Sequence, residues 1–192
     1  SVLDAPSEVI GTVLIYLGKD PNSEKPEDLE AASKVLMAIR PYVRLINSSK
    51  YIEDLANGEI CLALGWSGDV LQAGSRATEA GKGITIKYNI PKEGAVMFFD
   101  SFAIPADASH PKNAHLFIDY MSRAEVAAKN SNFLSFANSN AASWPSVAAE
   151  IKNNQNIFPT PAMMPKLAVD LPESAEFTRE LTRTWTRFRT GK

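Results

Sequence analysis

The sequence predicts an α/β fold, and three features support this. Apolar runs of about four to eight residues, the length of buried strands, alternate with longer segments whose apolar residues recur at helical spacing. The run from Glu59 to Gly65 is the clearest candidate for a strand covered on both faces. Hydrophobic residues make up 45% of the chain, which is ample for a core. We therefore expect strands and helices to alternate in packed layers.

Four helices are predicted before residue 90, from their start and stop signals. The first begins after Asp4, whose carboxylate suits an N-cap, and it ends at Gly18. Pro6 and the acidic Glu8 support the same start, because a helix N-terminus needs no N–H from proline and favours negative charge. The other three helices are expected to begin at Pro26, at Ser48 or Ser49, and near Ser67.

Further strands are predicted at 42–46, 84–90 and 96–104, followed by a helix at 113–129. In the strand 96–104, alternate side chains share a face, so Phe98, Asp100 and Phe102 are expected to point the same way. The basic tail 179–192 also contains Glu180 and recurring apolar positions, which indicates a solvated helix face.

Two extended segments are predicted to pass between separate lobes. Proline enforces extended backbone in 90–94, and 136–141 is polar and lies between helices. A chain that crosses twice in this way would divide into one lobe made of 1–89 and 137–192, and part of another made of 90–136.

Composition excludes several classes of function. A net charge of −2 and scattered basic residues are not those of a nucleic-acid-binding surface. The single cysteine, Cys61, rules out an internal disulfide and a thiolate-rich metal site. Its apolar surroundings predict a buried side chain, and a disulfide to a residue outside these 192 stays open.

The chain begins at Ser1 without a Met, a signal peptide or a membrane-spanning stretch, so we expect an internal piece of a larger soluble protein.

The segment from Gly65 to Asp69 is the most informative motif. Trp66 and Asp69 are three residues apart at the start of a predicted helix, so they can face one ligand together. Asp100 lies among phenylalanines in the same manner. A carboxylate among aromatic rings suits an alkylammonium ion, because the acid pairs with the charge and the rings offer a cation–π face.

The same motif also approaches the nucleophile elbow G-x-S-x-G, which would make Ser67 a hydrolase nucleophile. The tight turn of that motif requires glycine where this chain has Asp69. The two histidines, His110 and His115, are expected on the surface. No zinc, EF-hand or phosphate-loop spacing occurs.

A series of motifs in this order resembles the C-terminal half of bacterial periplasmic polyamine-binding proteins. The motifs are 51–61, 65–69, 90–95, 98–100 and 183–186. The resemblance covers essentially the whole chain and implies a two-lobed type II periplasmic solute-binding fold, in which the ligand binds between the lobes. It also implies that 90–136 is a remnant of the N-terminal lobe, and that the first third or more of the mature protein precedes this chain.

The resemblance further implies a set of ligand residues: Glu8, Trp66, Asp69, Phe98, Asp100 and Phe136. Asp69 and Asp100 would hold ammonium groups, Glu8 would bind a second amine, and the aromatic rings would line the spacer. Relatives carry Tyr where this chain has Phe136, so one hydroxyl is missing. Cys61 corresponds to a position that can be disulfide-linked, with its partner just upstream of Ser1.

The function implied is that of a periplasmic receptor, with no catalytic activity and no cofactor, that hands a linear polyamine to ABC transporter permease subunits in the inner membrane. We expect a monomer that does not bind nucleic acid, with spermidine ahead of putrescine as ligand. The alternatives are a receptor for another cationic or amino-acid solute, a serine hydrolase using Ser67, and a regulatory interaction module.

Overall fold

The computed structural model describes residues 1–192, which form mainly helices together with one small two-stranded sheet. The α-helices are α1 (Pro6–Tyr16), α2 (Pro26–Ile39), α3 (Tyr51–Ala56), α4 (Ser67–Glu79), α5 (Pro111–Met121), α6 (Ala124–Leu134), α7 (Ala149–Lys152) and α8 (Ala175–Thr190). The strands are β1 (Ala95–Met97) and β2 (Leu167–Val169). Short 3₁₀ helices cover Arg40–Tyr42, Ala141–Ser146 and Met164–Lys166.

The sheet is smaller than the sequence predicts. Strands β1 and β2 pair in parallel, with Val96 opposite Ala168. The run 42–46 is reduced to one bridge between Ile46 and Val2, while 59–65 and 84–90 form no strand. Residues 62–64 instead lie beside Ser1, whose backbone accepts from the Leu64 N–H at 3.0 Å. A strand needs a continuous row of backbone hydrogen bonds to a neighbour in register, and these runs make at most isolated ones.

Three helix predictions are corrected. The predicted helix 113–129 is two helices, α5 and α6, because Arg123 adopts extended backbone between them. Asp4 does not cap α1: its carboxylate accepts a hydrogen bond from the Trp185 indole at 2.9 Å, and Ala5 occupies the cap position. The start of α3 uses the Asn47 side chain, which accepts from two backbone N–H groups, rather than Ser48 or Ser49.

The main core lies between α1, α2, α3, α4 and α8, where eighteen buried apolar side chains form one cluster. Helix α8 contributes four of them, Phe177, Leu181, Trp185 and Phe188. The tail therefore has the solvated face that the sequence predicts, and its opposite face closes the core. A smaller cluster joins α6 to the segment 147–157.

Large apolar side chains stay exposed on the part of the chain around α5. They include Phe99, Phe102, Leu116, Phe117 and Tyr120, each more than half exposed. None of the helices combines the length and apolar character that crossing a membrane requires.

Candidate functional site

Glu8 and Trp66 are joined by a direct hydrogen bond beside the main core, although 58 residues separate them in the sequence. Glu8 lies in the first turn of α1, and Trp66 directly precedes α4. The indole Nε1–H of Trp66 donates to Glu8 Oε2 at 2.6 Å, and both side chains are half-buried. The pKa of Glu8 is raised, chiefly by burial, while the indole hydrogen bond opposes that shift. The site thus contains a carboxylate, that of Glu8, which burial has partly removed from water.

Asp69 is held by a tyrosine that the sequence analysis missed. The hydroxyl of Tyr51, which is completely buried, donates to Asp69 Oδ2 at 2.9 Å. The same hydroxyl accepts from the backbone N–H of Trp66 at 3.2 Å. Helix α3 packs on α4 at this point, so the pair links two helices. Tyr51 opens the motif 51–61, and nothing in its local sequence indicates this contact.

Three of the six predicted ligand residues form a row of aromatic rings. The ring centroids of Trp66 and Phe98 are 6.4 Å apart, and those of Phe98 and Phe136 are 6.1 Å apart, both edge to face. The Phe136 ring lies directly against Gly68, the second residue of α4. The row therefore runs from the indole beside Glu8 to Phe136, the second residue after α6.

Asp100 is placed differently from the sequence prediction. Strand β1 ends at Met97, so Phe98, Asp100 and Phe102 do not share one strand face. Asp100 is exposed, and Phe102 packs edge to face on Phe117 at 5.5 Å instead. Solvent therefore reaches the Asp100 carboxylate, and its charge does not need to be offset by a buried partner. Its negative charge nevertheless lies near enough to help raise the pKa of Glu8.

Asp170 is a second residue that sequence reasoning missed. It directly follows β2, and its charge also raises the pKa of Glu8. Burial, followed by the charge of Glu173, raises the pKa of Asp170 itself. Asp170 also lines a cavity of about 140 Å³ between α1 and α8. The sequence signal that could have identified Asp170 is its position directly after a short apolar run. Polar residues in that position lie at the edge of a parallel sheet, where ligands bind.

Two features of the motif region bear on the other predictions. Ser67 is the first residue of α4, and no hydrogen bond joins it to either histidine. His110 and His115 are both exposed, as expected. Cys61 is exposed as a free thiol, so the expectation of a buried side chain is wrong: its run lies along the surface instead of inside a sheet.

The assembled site is a row of aromatic rings with carboxylates close by. Glu8, Trp66, Phe98 and Phe136 are joined by direct contacts, and Asp69 is tied to the backbone of Trp66 through Tyr51. Asp100 takes part only through its charge. Such a surface attracts cations and offers apolar faces to a carbon chain.

Known proteins similar to this chain are solute-binding proteins. The chain is 47% identical to the putrescine-binding periplasmic protein PotF of Escherichia coli and 46% identical to its counterpart SpuD of Pseudomonas aeruginosa. Both matches cover 100% of this chain and 52% of the relative, so the chain spans about half the length of these proteins.

A solved structure, described as a spermidine/putrescine ABC transporter from Listeria monocytogenes, superposes with a TM-score of 0.87 at 26% identity. That match covers 100% of this chain and 57% of the other. The model of the family described as bacterial extracellular solute-binding protein matches residues 3–160. The chain belongs to this family and has the type II periplasmic solute-binding fold.

Proposed function

We propose that this chain is part of a periplasmic receptor that binds a linear polyamine and delivers it to an ABC importer. The observation that carries the proposal is the row Trp66, Phe98 and Phe136 with the Glu8 carboxylate hydrogen-bonded to its indole end. The names of relatives that are 46–47% identical support the same ligand class.

The chemistry of a polyamine fits these residues. Its primary amines are charged at neutral pH, and Asp69 and Asp100 would accept charge-assisted hydrogen bonds from them. Glu8 would take a second amine, so the ligand cation would offset the burial that raises the pKa of this carboxyl. The rings of Trp66, Phe98 and Phe136 would lie along the methylene spacer. Recognition by these groups needs neither a cofactor nor a catalytic step.

The proposal includes an organisation in two lobes. Residues 1–89 and 137–192 would form the C-terminal lobe, and 90–136 would belong to the N-terminal lobe, with the ligand enclosed between them. The receptor would act as a monomer in the periplasm and contact the permease subunits in the inner membrane. Nucleic acid has no role in this function.

The identity of the preferred polyamine is the most specific part of the proposal. Spermidine is expected ahead of putrescine, and the family resemblance implies a tyrosine hydroxyl that Phe136 lacks. The relatives that are 46–47% identical are named for putrescine. The description of the Listeria structure, which is 26% identical, names both spermidine and putrescine. Calorimetry of the full-length protein against putrescine, cadaverine, spermidine and spermine separates these possibilities. A protein that binds none of the four is not a polyamine receptor.

Asp100→Asn is the variant that tests the site. It is expected to weaken polyamine binding by about 1.5–3 kcal/mol, the range for a hydrogen bond to a charged group. Asp107→Asn is the matched control, because it removes the same charge from another exposed position. Equal affinities of the two variants, with intact circular dichroism, would remove Asp100 from the site.

A further inference from the structure

We propose that Tyr51 is a positioning residue, which orients the Asp69 carboxylate so that one of its oxygens stays available for a cationic ligand. The inference rests on the proposed function and adds to it a residue that would not touch the ligand. Its basis is the hydrogen-bonded chain from the Trp66 backbone through the Tyr51 hydroxyl to Asp69.

The directions of the two hydrogen bonds follow from their partners. A backbone N–H can only donate, so the Tyr51 oxygen accepts from Trp66 at 3.2 Å. The hydroxyl proton is then free to go to Asp69 Oδ2, at 2.9 Å. Tyr51 thus fixes both the start of α4 and the carboxylate one turn into it.

The second carboxylate oxygen of Asp69 is left without a protein partner. The one hydrogen bond of this side chain is accepted by Oδ2, from Tyr51. Asp69 is half-buried, so its other oxygen is not enclosed by protein. A carboxylate has acceptor sites on both oxygens, so Oδ1 can accept from an ammonium group without losing the tyrosine. This division of roles distinguishes a positioned ligand carboxylate from one used only to support the fold.

The Tyr51 side chain is tightly packed. Its side chain is 0% exposed, and a Cβ added at Gly65 would lie 2.5 Å from Tyr51 Cε2. The chain therefore passes against the ring at a position where only glycine fits. A carboxylate held by such a rigid group loses little entropy when it binds a ligand, which is the benefit of preorganisation.

The protonation state of Tyr51 keeps it a donor. Burial, followed by the hydrogen bond to Asp69, raises the pKa of the phenol far above its usual value. The hydroxyl therefore stays protonated over the whole range in which polyamines are charged.

The experiment is a double-mutant cycle on the full-length protein, with calorimetry of putrescine and spermidine. Tyr51→Phe keeps the ring and removes the hydroxyl, and it is expected to weaken binding about tenfold. In the Asp69→Asn background the same change is expected to alter affinity by less than about twofold, because no carboxylate is left to position. A residue that only supports the fold would weaken both backgrounds equally.

Tyr88→Phe is the matched control, because Tyr88 packs on the same core and its hydroxyl makes no hydrogen bond. Its affinity is expected to equal that of the wild type. If Tyr51→Phe does not fold, 4-aminophenylalanine at position 51 retains a donor toward Asp69 and is expected to bind within about threefold of wild type. Loss of binding in that folded variant overturns the proposal.

The remaining outcomes separate the role of Tyr51 from the proposed function. Wild-type affinity in Tyr51→Phe, or equal losses in both backgrounds, overturns the role of Tyr51 and leaves polyamine binding intact. Unchanged affinity in Asp69→Asn removes Asp69 from the site and the inference with it. A wild-type protein that binds no polyamine overturns the proposed function.

Discussion

Glu8 is half-buried beside the Trp66 indole, and this environment raises the pKa of its carboxyl. Burial is the main cause, and the charges of Asp170 and Asp100 add to it. The folded protein therefore holds this proton more tightly than the unfolded chain does. Its stability is favoured below the usual pKa of Glu and falls as the pH rises through the raised pKa. A bound cation at Glu8 would reverse that loss.

Polyamine binding is therefore expected to release protons in the acidic range. The ligand's positive charge lowers the pKa of Glu8, so up to about one proton leaves per ligand near the raised pKa, and almost none well above it. Affinity is expected to fall as the pH drops through the same range. Calorimetry in two buffers of different ionisation enthalpy measures the release.

Glu8→Gln is expected to remove most of that release. Glu53→Gln, a change at an exposed glutamate outside the site, is the control and is expected to leave it unchanged. Undiminished release in Glu8→Gln would assign the protons to another group, with Asp170 the next candidate because its own pKa is raised.

Helix α4 is the element that organises the site. Its first turn carries Asp69, the residue before it is Trp66, and Gly68 lies under Phe136. A Cβ added at Gly68 would lie 2.6 Å from the Leu134 carbonyl oxygen as well as inside the Phe136 ring contact. The absence of a side chain at this position lets the end of α6 approach α4.

Gly68→Ala and Gly74→Ala are expected to have opposite effects, although both lie in α4. Alanine at Gly68 meets backbone and a ring, and overpacking of this kind costs about 1–3 kcal/mol. Alanine at Gly74 meets only ordinary contacts at 3.9 Å, so helix propensity is expected to stabilise that variant by about 0.5–1 kcal/mol.

Urea unfolding of the full-length protein measures both changes, and polyamine titration of Gly68→Ala is expected to show weaker binding because Phe136 is displaced. Equal stability of the two alanine variants would show that α6 does not depend on the close approach at Gly68.

One part of the molecule has a well-covered apolar core, and another part leaves large apolar side chains exposed to solvent. The core between α1, α2, α3, α4 and α8 is fully covered, with Tyr51 and Ala32 at 0% exposure. Around α5 the apolar side chains face solvent, with Leu116 at 67% and Phe99 at 64%. A contiguous exposed apolar surface usually marks a place where other protein covers it. Sheet neighbours from elsewhere in a solute-binding fold would do so here.

The 192-residue polypeptide alone is accordingly expected to bind hydrophobic dyes and to aggregate, and to bind spermidine much more weakly than the full-length protein. Dye fluorescence, light scattering and calorimetry measure the three effects. Leu116→Ser combined with Phe117→Ser is expected to reduce dye binding, whereas Tyr42→Ser, at an exposed residue distant in sequence, is not. A monomeric polypeptide with full affinity would contradict the proposed division into lobes.

Local signals in the sequence were enough for most helices. Proline at Pro6 and Pro26 begins α1 and α2 as expected, and α4 begins at Ser67, where the sequence predicts a helix start. These signals are reliable because a helix forms all its hydrogen bonds within one short segment. The order of motifs also determined the family, which the matching family model confirms.

Tertiary structure alone decided the strands and the contacts of the site. The run 59–65 has strand composition, yet a strand exists only where a neighbour lies in register. The bond from Trp66 to Glu8 spans 58 residues, and Tyr51 reaches Asp69 only because α3 packs on α4. Residue types and spacing identified the groups that could bind a cation. Which of them touch, and which is held by a buried tyrosine, depends on packing between segments that no local pattern records.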